Sequence, residues 1–162
     1  MELKTAGIHH VSDYETVGKI WGSEVKITIS TEGKKKIALD TIIARIERIL
    51  EMIPRREETA ELLKNSGMID RAEEWVSECE PADDYSDEHE RFVIEKDVIV
   101  ELPITVEQFA EGLKADSLEV IFTDTADDFT AKLYLCCTPD YFAEHTIQVS
   151  IDKDGEMRCL GL

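Results

Sequence analysis

The chain has 162 residues, the size of one compact domain and long enough to bury a core without metal or disulfide staples. Apolar residues are 43% and charged residues 33%, which excludes a wholly disordered chain, and no apolar run reaches the roughly 18 residues that span a bilayer. A net charge of −18 disfavours nucleic acid and anionic membrane surfaces as partners, because both are held through Lys and Arg.

The first residues hold neither an apolar stretch nor a cleavage-site pattern of a secretory leader, so a cytoplasmic location is expected. Two period-2 runs, from Val17 to Trp21 and from Val25 to Ile29, flank Gly22-Ser23 and predict a β-hairpin. A polar connection at 32–36 follows. Asp40 is placed to cap a helix whose apolar set, Ile42, Ile43, Ile46, Ile49, Leu50 and Ile53, repeats at helical spacing and makes one buried stripe. Pro54 closes it, and a second helix over 57–65 carries the weaker set Ala60, Leu62 and Leu63. Ser66-Gly67 stops that helix. A third, over 68–79, aligns Met68, Ala72, Trp75, Val76 and Cys79.

Residues 81–90 read as a loop with nothing to bury. From Phe92 the period returns to 2, and Val98, Val100 and Leu102 predict a strand. Thr105 and Gln108 form a capping box that opens a short helix with Phe109 and Leu113 inward. The rest predicts a β-meander over 118–123, 129–137, 146–151 and 157–160, with a turn at Asp152 to Gly155. The expected fold is α+β, a single domain over 1–162: a largely antiparallel sheet, built from the N-terminal hairpin and the C-terminal meander, with helices packed on one face.

The charge is uneven. Residues 1–50 hold seven acids and eight bases, residues 51–100 sixteen and six, and residues 101–162 thirteen and four. From Glu73 to Glu90 there is no Lys or Arg at all. A basic protein would be steered toward such a field, whereas the plain alternative is that the charge only keeps the chain soluble. Tyr85 stands out as an aromatic ringed by acids in a loop, as aromatic anchors of protein interfaces are. The candidate partner-binding set is therefore Asp83, Asp84, Tyr85, Asp87, Glu88 and Glu90, with Glu73, Glu74 and Glu78 as a secondary rim.

Other chemistry is weakly signalled. Cys79, Cys136, Cys137 and Cys159 contain no Cys-x-x-Cys pair, and adjacent Cys136 and Cys137 point to opposite faces of a strand, so free structural thiols are expected. His9, His10, His89 and His145 fit no zinc spacing, and the Asp152 to Gly155 segment is only a fragment of a calcium loop. No nucleophile elbow, P-loop or dinucleotide glycine pattern is present. No metal, no cofactor and no enzymatic activity are expected. The opposing reading from the enzyme class is a small hydrolase or metal-dependent enzyme using His89 or His145.

The C-terminal run Tyr141-Phe142-Ala-Glu-His145-Thr-Ile147-Gln-Val149-Ser-Ile-Asp152-Lys-Asp-Gly155, ending in Leu160-Gly161, resembles the bacterial family known as domain of unknown function 2262, DUF2262. The Trp21-Gly22 step and the Thr105 to Phe109 helix start are similar to the same pattern. The resemblance carries no catalytic residue over. It implies a kinship with small acidic bacterial proteins that look like immunity proteins, each neutralising a cognate toxin. The expectation is thus a stoichiometric immunity protein for a basic toxin domain, with a regulatory or scaffold domain of unknown partner as the alternative.

Overall fold

The computed structural model describes residues 4–5, 14–32, 37–96 and 98–162, so His9-His10 and most of the polar connection at 32–36 lie outside the described residues. The fold is α+β, and its chain forms two compact units. One comprises Met1–Pro54, Ala115–Leu135 and Gln148–Leu160; the other comprises Arg55–Lys114, Cys136–Ile147 and Gly161–Leu162.

In the first unit, β1 (Lys4–Thr5), β2 (Tyr14–Ile20) and β3 (Ser23–Thr31) form the predicted N-terminal hairpin and its edge. Its turn lies one residue earlier than the sequence implies. Ile20 pairs with Ser23, and Trp21 and Gly22 both take positive φ, 49° and 83°, the twist that a two-residue hairpin loop needs. The strained Trp21 is anchored by its indole Nε1, which donates to the Pro54 carbonyl at 2.8 Å. With this register Val17 faces solvent and Gly18 faces inward. A Cβ on Gly18 would stand 2.7 Å from Ile27 Cδ1 and 2.9 Å from Leu50 Cδ1, so α1 (Leu39–Met52) lies directly on the hairpin there. The centre of the α1 stripe is as predicted, with Ile42, Ile46 and Ile49 buried; Ile43 and Leu50 are half-buried, and Ile53 falls beyond the helix at its C-cap. Its cap is not, because the helix starts at Leu39 after Ala38 and leaves Asp40 in the first turn, where a negative charge suits the helix dipole.

The sheet continues through β7 (Leu113–Phe122), β8 (Phe129–Cys137), β9 (Ile147–Ile151) and β10 (Met157–Gly161) in the order β1-β2-β3-β7-β8-β9-β10. It is mostly antiparallel, with one parallel seam, β3 on β7, running from Lys26↔Ser117 to Thr31↔Phe122. The long excursion through the helices between β3 and β7 is what a parallel connection requires. The predicted Asp152 turn closes β9 on β10: Asp152 Oδ1 accepts from the backbone N–H groups of Asp154 and Glu156, both at 2.9 Å, and Gly155 takes φ 84°. Those backbone donors, Glu156 first, hold the Asp152 carboxyl below the usual range.

In the second unit α2 (Arg56–Asn65) packs on α3 (Met68–Ser77) and α4 (Val106–Gly112). Gly67, at φ 76°, breaks α2 from α3 as expected. The capping box is formed: Gln108 N–H donates to Thr105 Oγ1 at 3.2 Å and Thr105 N–H to Gln108 Oε1 at 3.0 Å. Phe109 is fully buried, stacked on Tyr141 at 6.0 Å and edge-on to Phe142 at 6.4 Å. The single strand predicted after Phe92 is instead a hairpin of β5 (Arg91–Ile94) and β6 (Val98–Glu101), with β4 (Glu80–Pro81) on the other side of β5. Glu95, at φ 51°, lets the chain reverse. Among the described residues no helix is long and apolar enough to cross a membrane.

Candidate functional site

The acidic segment is a tight hairpin rather than a loose loop. Ala82 N–H donates to Arg91 O at 2.9 Å, and Ser86 and His89 exchange both backbone bonds, at 3.1 and 2.9 Å. Asp87 and Glu88 are therefore the two central residues of a turn, held at the tip. Ser86 Oγ also accepts from His89 N–H at 3.1 Å, tightening it. The composition predicts nothing to bury here, yet Ala82 is buried and the Tyr85 ring meets the buried Phe92 edge-on at 5.6 Å. Tyr85 still leaves 39% of its surface exposed. The β5 strand provides a small apolar floor that a reading of 81–90 alone does not contain.

The named acids fall into two groups. Asp84 is held by the Arg91 guanidinium, whose Nε stands 4.0 Å from Glu101 Oε2. Asp83, Asp87, Glu88 and Glu90 are exposed and join no ion pair among the described residues. In the rim on α3, Glu74 and Glu78 are exposed, but Glu73 is committed within the chain. Its Oε1 accepts from Ile104 N–H at 2.7 Å, which ties α3 to the segment after β6. Asp83, Asp84, Tyr85, Asp87, Glu88 and Glu90 thus share one hairpin, and Glu73 has a structural task beside it.

Three hollows adjoin this hairpin, one of them, of about 450 Å³, lined by Glu80 to Asp84, Arg91, Val93 and Ile99; the other two are more telling. One, of about 380 Å³, is lined by Asp84, His89, Arg91 and Glu101, with His89 Nδ1 3.3 Å from Glu101 Oε1. The other is a groove of about 490 Å³ beside β6, whose far walls are α4 and the turn at Thr138 to Tyr141. Ile99 lies 46% exposed on it. Sequence reasoning missed this groove. Its signal was the pair of alternating runs Phe92/Ile94 and Val98/Val100 separated by a charged turn.

The remaining candidates sit elsewhere. His145 is exposed and its ring meets Trp75 edge-on at 5.5 Å; it is the backbone N–H of His145, not the imidazole, that binds Phe142 O, at 3.0 Å. Trp75 lies half-buried against Phe142. Cys137 is buried and Cys136 half-buried, as alternation requires, and burial pushes the Cys137 thiol up to about 12. Tyr141 is buried, and burial pushes its phenol up too. No group of three or more metal-ligating side chains occurs among the described residues.

A family model described as an uncharacterized protein conserved in bacteria, DUF2262, matches residues 9–162. The chain belongs to the DUF2262 family. The DUF2262 match takes in the Trp21-Gly22 turn, the capped α4 and the C-terminal strands, and also residues 54–90, which the short motifs do not reach. No curated protein and no solved structure matches the chain.

Proposed function

We propose that this DUF2262 protein is a non-catalytic, stoichiometric binder of a basic protein domain, and that it works in the cytoplasm as an immunity protein against a toxin, a nuclease being the best fit. One observation carries the reading: an ordered turn holds Asp87 and Glu88 at its tip, with Asp83 and Glu90 beside them, all exposed and joined to no cation of the described chain. A nuclease cleft is positive because it holds phosphates. Carboxylates fixed on a turn enter such a cleft with little ordering cost, and Tyr85, braced on Phe92, supplies an aromatic contact beside them. Arg91 is the cation built into the hairpin, and its pairing with Asp84 stiffens the base while leaving the tip negative.

The test is a combined reversal, Asp83→Lys, Asp87→Lys, Glu88→Lys and Glu90→Lys, with association measured by stopped-flow against a basic nuclease toxin domain captured by pull-down on this chain. The on-rate at low salt is expected to fall by about 10- to 1,000-fold, with circular dichroism unchanged. An unchanged on-rate removes the reading.

A second reading is favoured by the hollow at His89. An imidazole 3.3 Å from a carboxylate is the arrangement of an oriented general base, although Asp84, Arg91 and Glu101 complete the lining without a serine, threonine or cysteine. Hydrolysis of ester or phosphodiester reporters that is abolished in His89→Ala would establish it.

A further inference from the structure

The backbone of β6 has an unused side. Leu102 N–H donates to Glu90 O at 2.9 Å, which fixes the hydrogen-bonding phase of the β5–β6 ladder. With Arg91↔Glu101 and Val93↔Ile99 in register, these two are the non-hydrogen-bonded pairs, so the N–H and C=O groups of Ile99 and Glu101 point away from β5. The sheet order β4-β5-β6 leaves β6 terminal, and among the described residues no strand pairs with it on that side. The groove of about 490 Å³ runs along the same strand, lined by all four of its residues.

We propose that this edge takes an extended basic segment of the partner as an added strand, hydrogen-bonded to Ile99 and Glu101. The proposal rests on the reading of the protein as a binder of a basic domain and names how that domain is held. Main-chain pairing on an open edge supplies affinity, and the groove supplies side-chain selection. Here the selection is electrostatic and apolar together. Glu111 and Glu101 line the groove; its single lining cation, Arg91, pairs with Asp84 and its Nε stands 4.0 Å from Glu101, which leaves the lining net negative. Ile99, largely uncovered for its type, gives an apolar contact for alternate residues of the incoming strand. A second copy of this chain is the less favourable occupant, since it would bring another net charge of −18 to the same acidic rim. An exposed, uncharged position such as Ile99 on an edge is what proteins ordinarily blunt with lysine or proline, and β6 has neither.

The probe is an acetylated, amidated Lys-Val-Lys-Val-Lys peptide, titrated into the full chain and followed by amide NMR and hydrogen exchange. The Ile99 and Glu101 amides are expected to gain protection. Ile99→Pro removes the outward N–H without touching the β5 ladder, and it and the double reversal Glu101→Lys/Glu111→Lys are each expected to weaken the peptide by about tenfold or more. Asp87→Lys/Glu88→Lys should leave peptide affinity within about twofold, because the turn tip is not part of the edge. Should Ile99→Pro fail to fold, the double reversal at exposed side chains decides the matter. Shifts centred on Asp87 and Glu88, and lost only in the tip variant, would overturn the edge while sparing the binder reading. Absence of peptide binding alongside intact binding of the partner domain would do the same, and protection of Ile99 and Glu101 by self-association without peptide would replace the partner strand by a second copy.

Discussion

Gly112, the last residue of α4, sets two opposite effects against each other. Replacing it by alanine should stabilise a helix, by about 1 kcal/mol, through propensity and a less flexible unfolded chain. The fold opposes this. A Cβ at 112 would stand 2.6 Å from the Thr138 carbonyl oxygen, whereas the closest comfortable carbon–oxygen approach is about 3.3 Å. The obstacle is backbone, and it is pinned, because Thr138 N–H donates to Gly112 O at 2.8 Å. Opening the contact by about 0.7 Å must therefore strain or break that bond, worth about 1 kcal/mol, on top of an overpacking cost of about 1–3 kcal/mol. The net expectation for Gly112→Ala is a loss of about 1–3 kcal/mol. At about 2–4 °C per kcal/mol for a chain of this length, the unfolding midpoint should fall by about 2–12 °C. Differential scanning calorimetry reads this directly. A variant as stable as the parent, or more so, would refute the argument that the close approach of Thr138 is what selects glycine here.

Two further outcomes follow from geometry. Cys137 is protonated in the folded chain up to about pH 12 but only to about 9 when unfolded, so above pH 9 the unfolded state holds fewer protons and stability falls, at about 1.4 kcal/mol per pH unit. Urea unfolding at stepped alkaline pH should show that slope, and Cys137→Ala should flatten it; an unchanged slope would show that another group is responsible. Thr105→Ala removes one half of the capping box and should lower stability by about 1 kcal/mol, whereas Thr105→Ser should retain most of it, as denaturant midpoints will show.

What could be read from the sequence was whatever is encoded within a few residues. The α1 stripe, the Thr105 box, the Gly67 stop and the Asp152 turn each depend on spacings of three or four positions, and all are present. Pairings across long loops were not legible. The alternation over Val17 to Trp21 does not say which face is buried; the approach of Leu50 selects Gly18 for the inner side and leaves Val17 in solvent, and nothing near Val17 announces a helix some thirty residues on. Tyr85 appeared to lack any apolar neighbour because Phe92 belongs to the returning strand. Glu73 was grouped with its acidic neighbours by charge, while its actual partner is an amide thirty-one residues away. The groove beside β6 was hidden for the same reason: its walls come from β6, α4 and the Thr138 turn, which no local window brings together.

The placement of the indoles has a practical corollary. The chain has two tryptophans, and they divide evenly: Trp21 sits at the hairpin turn of one unit and Trp75 on α3 of the other. Each half of the molecule thus carries its own built-in fluorophore. A pair of single-tryptophan variants turns emission into a separate melting record for each half, so coincident records would mark one cooperative block and staggered ones a sequential collapse.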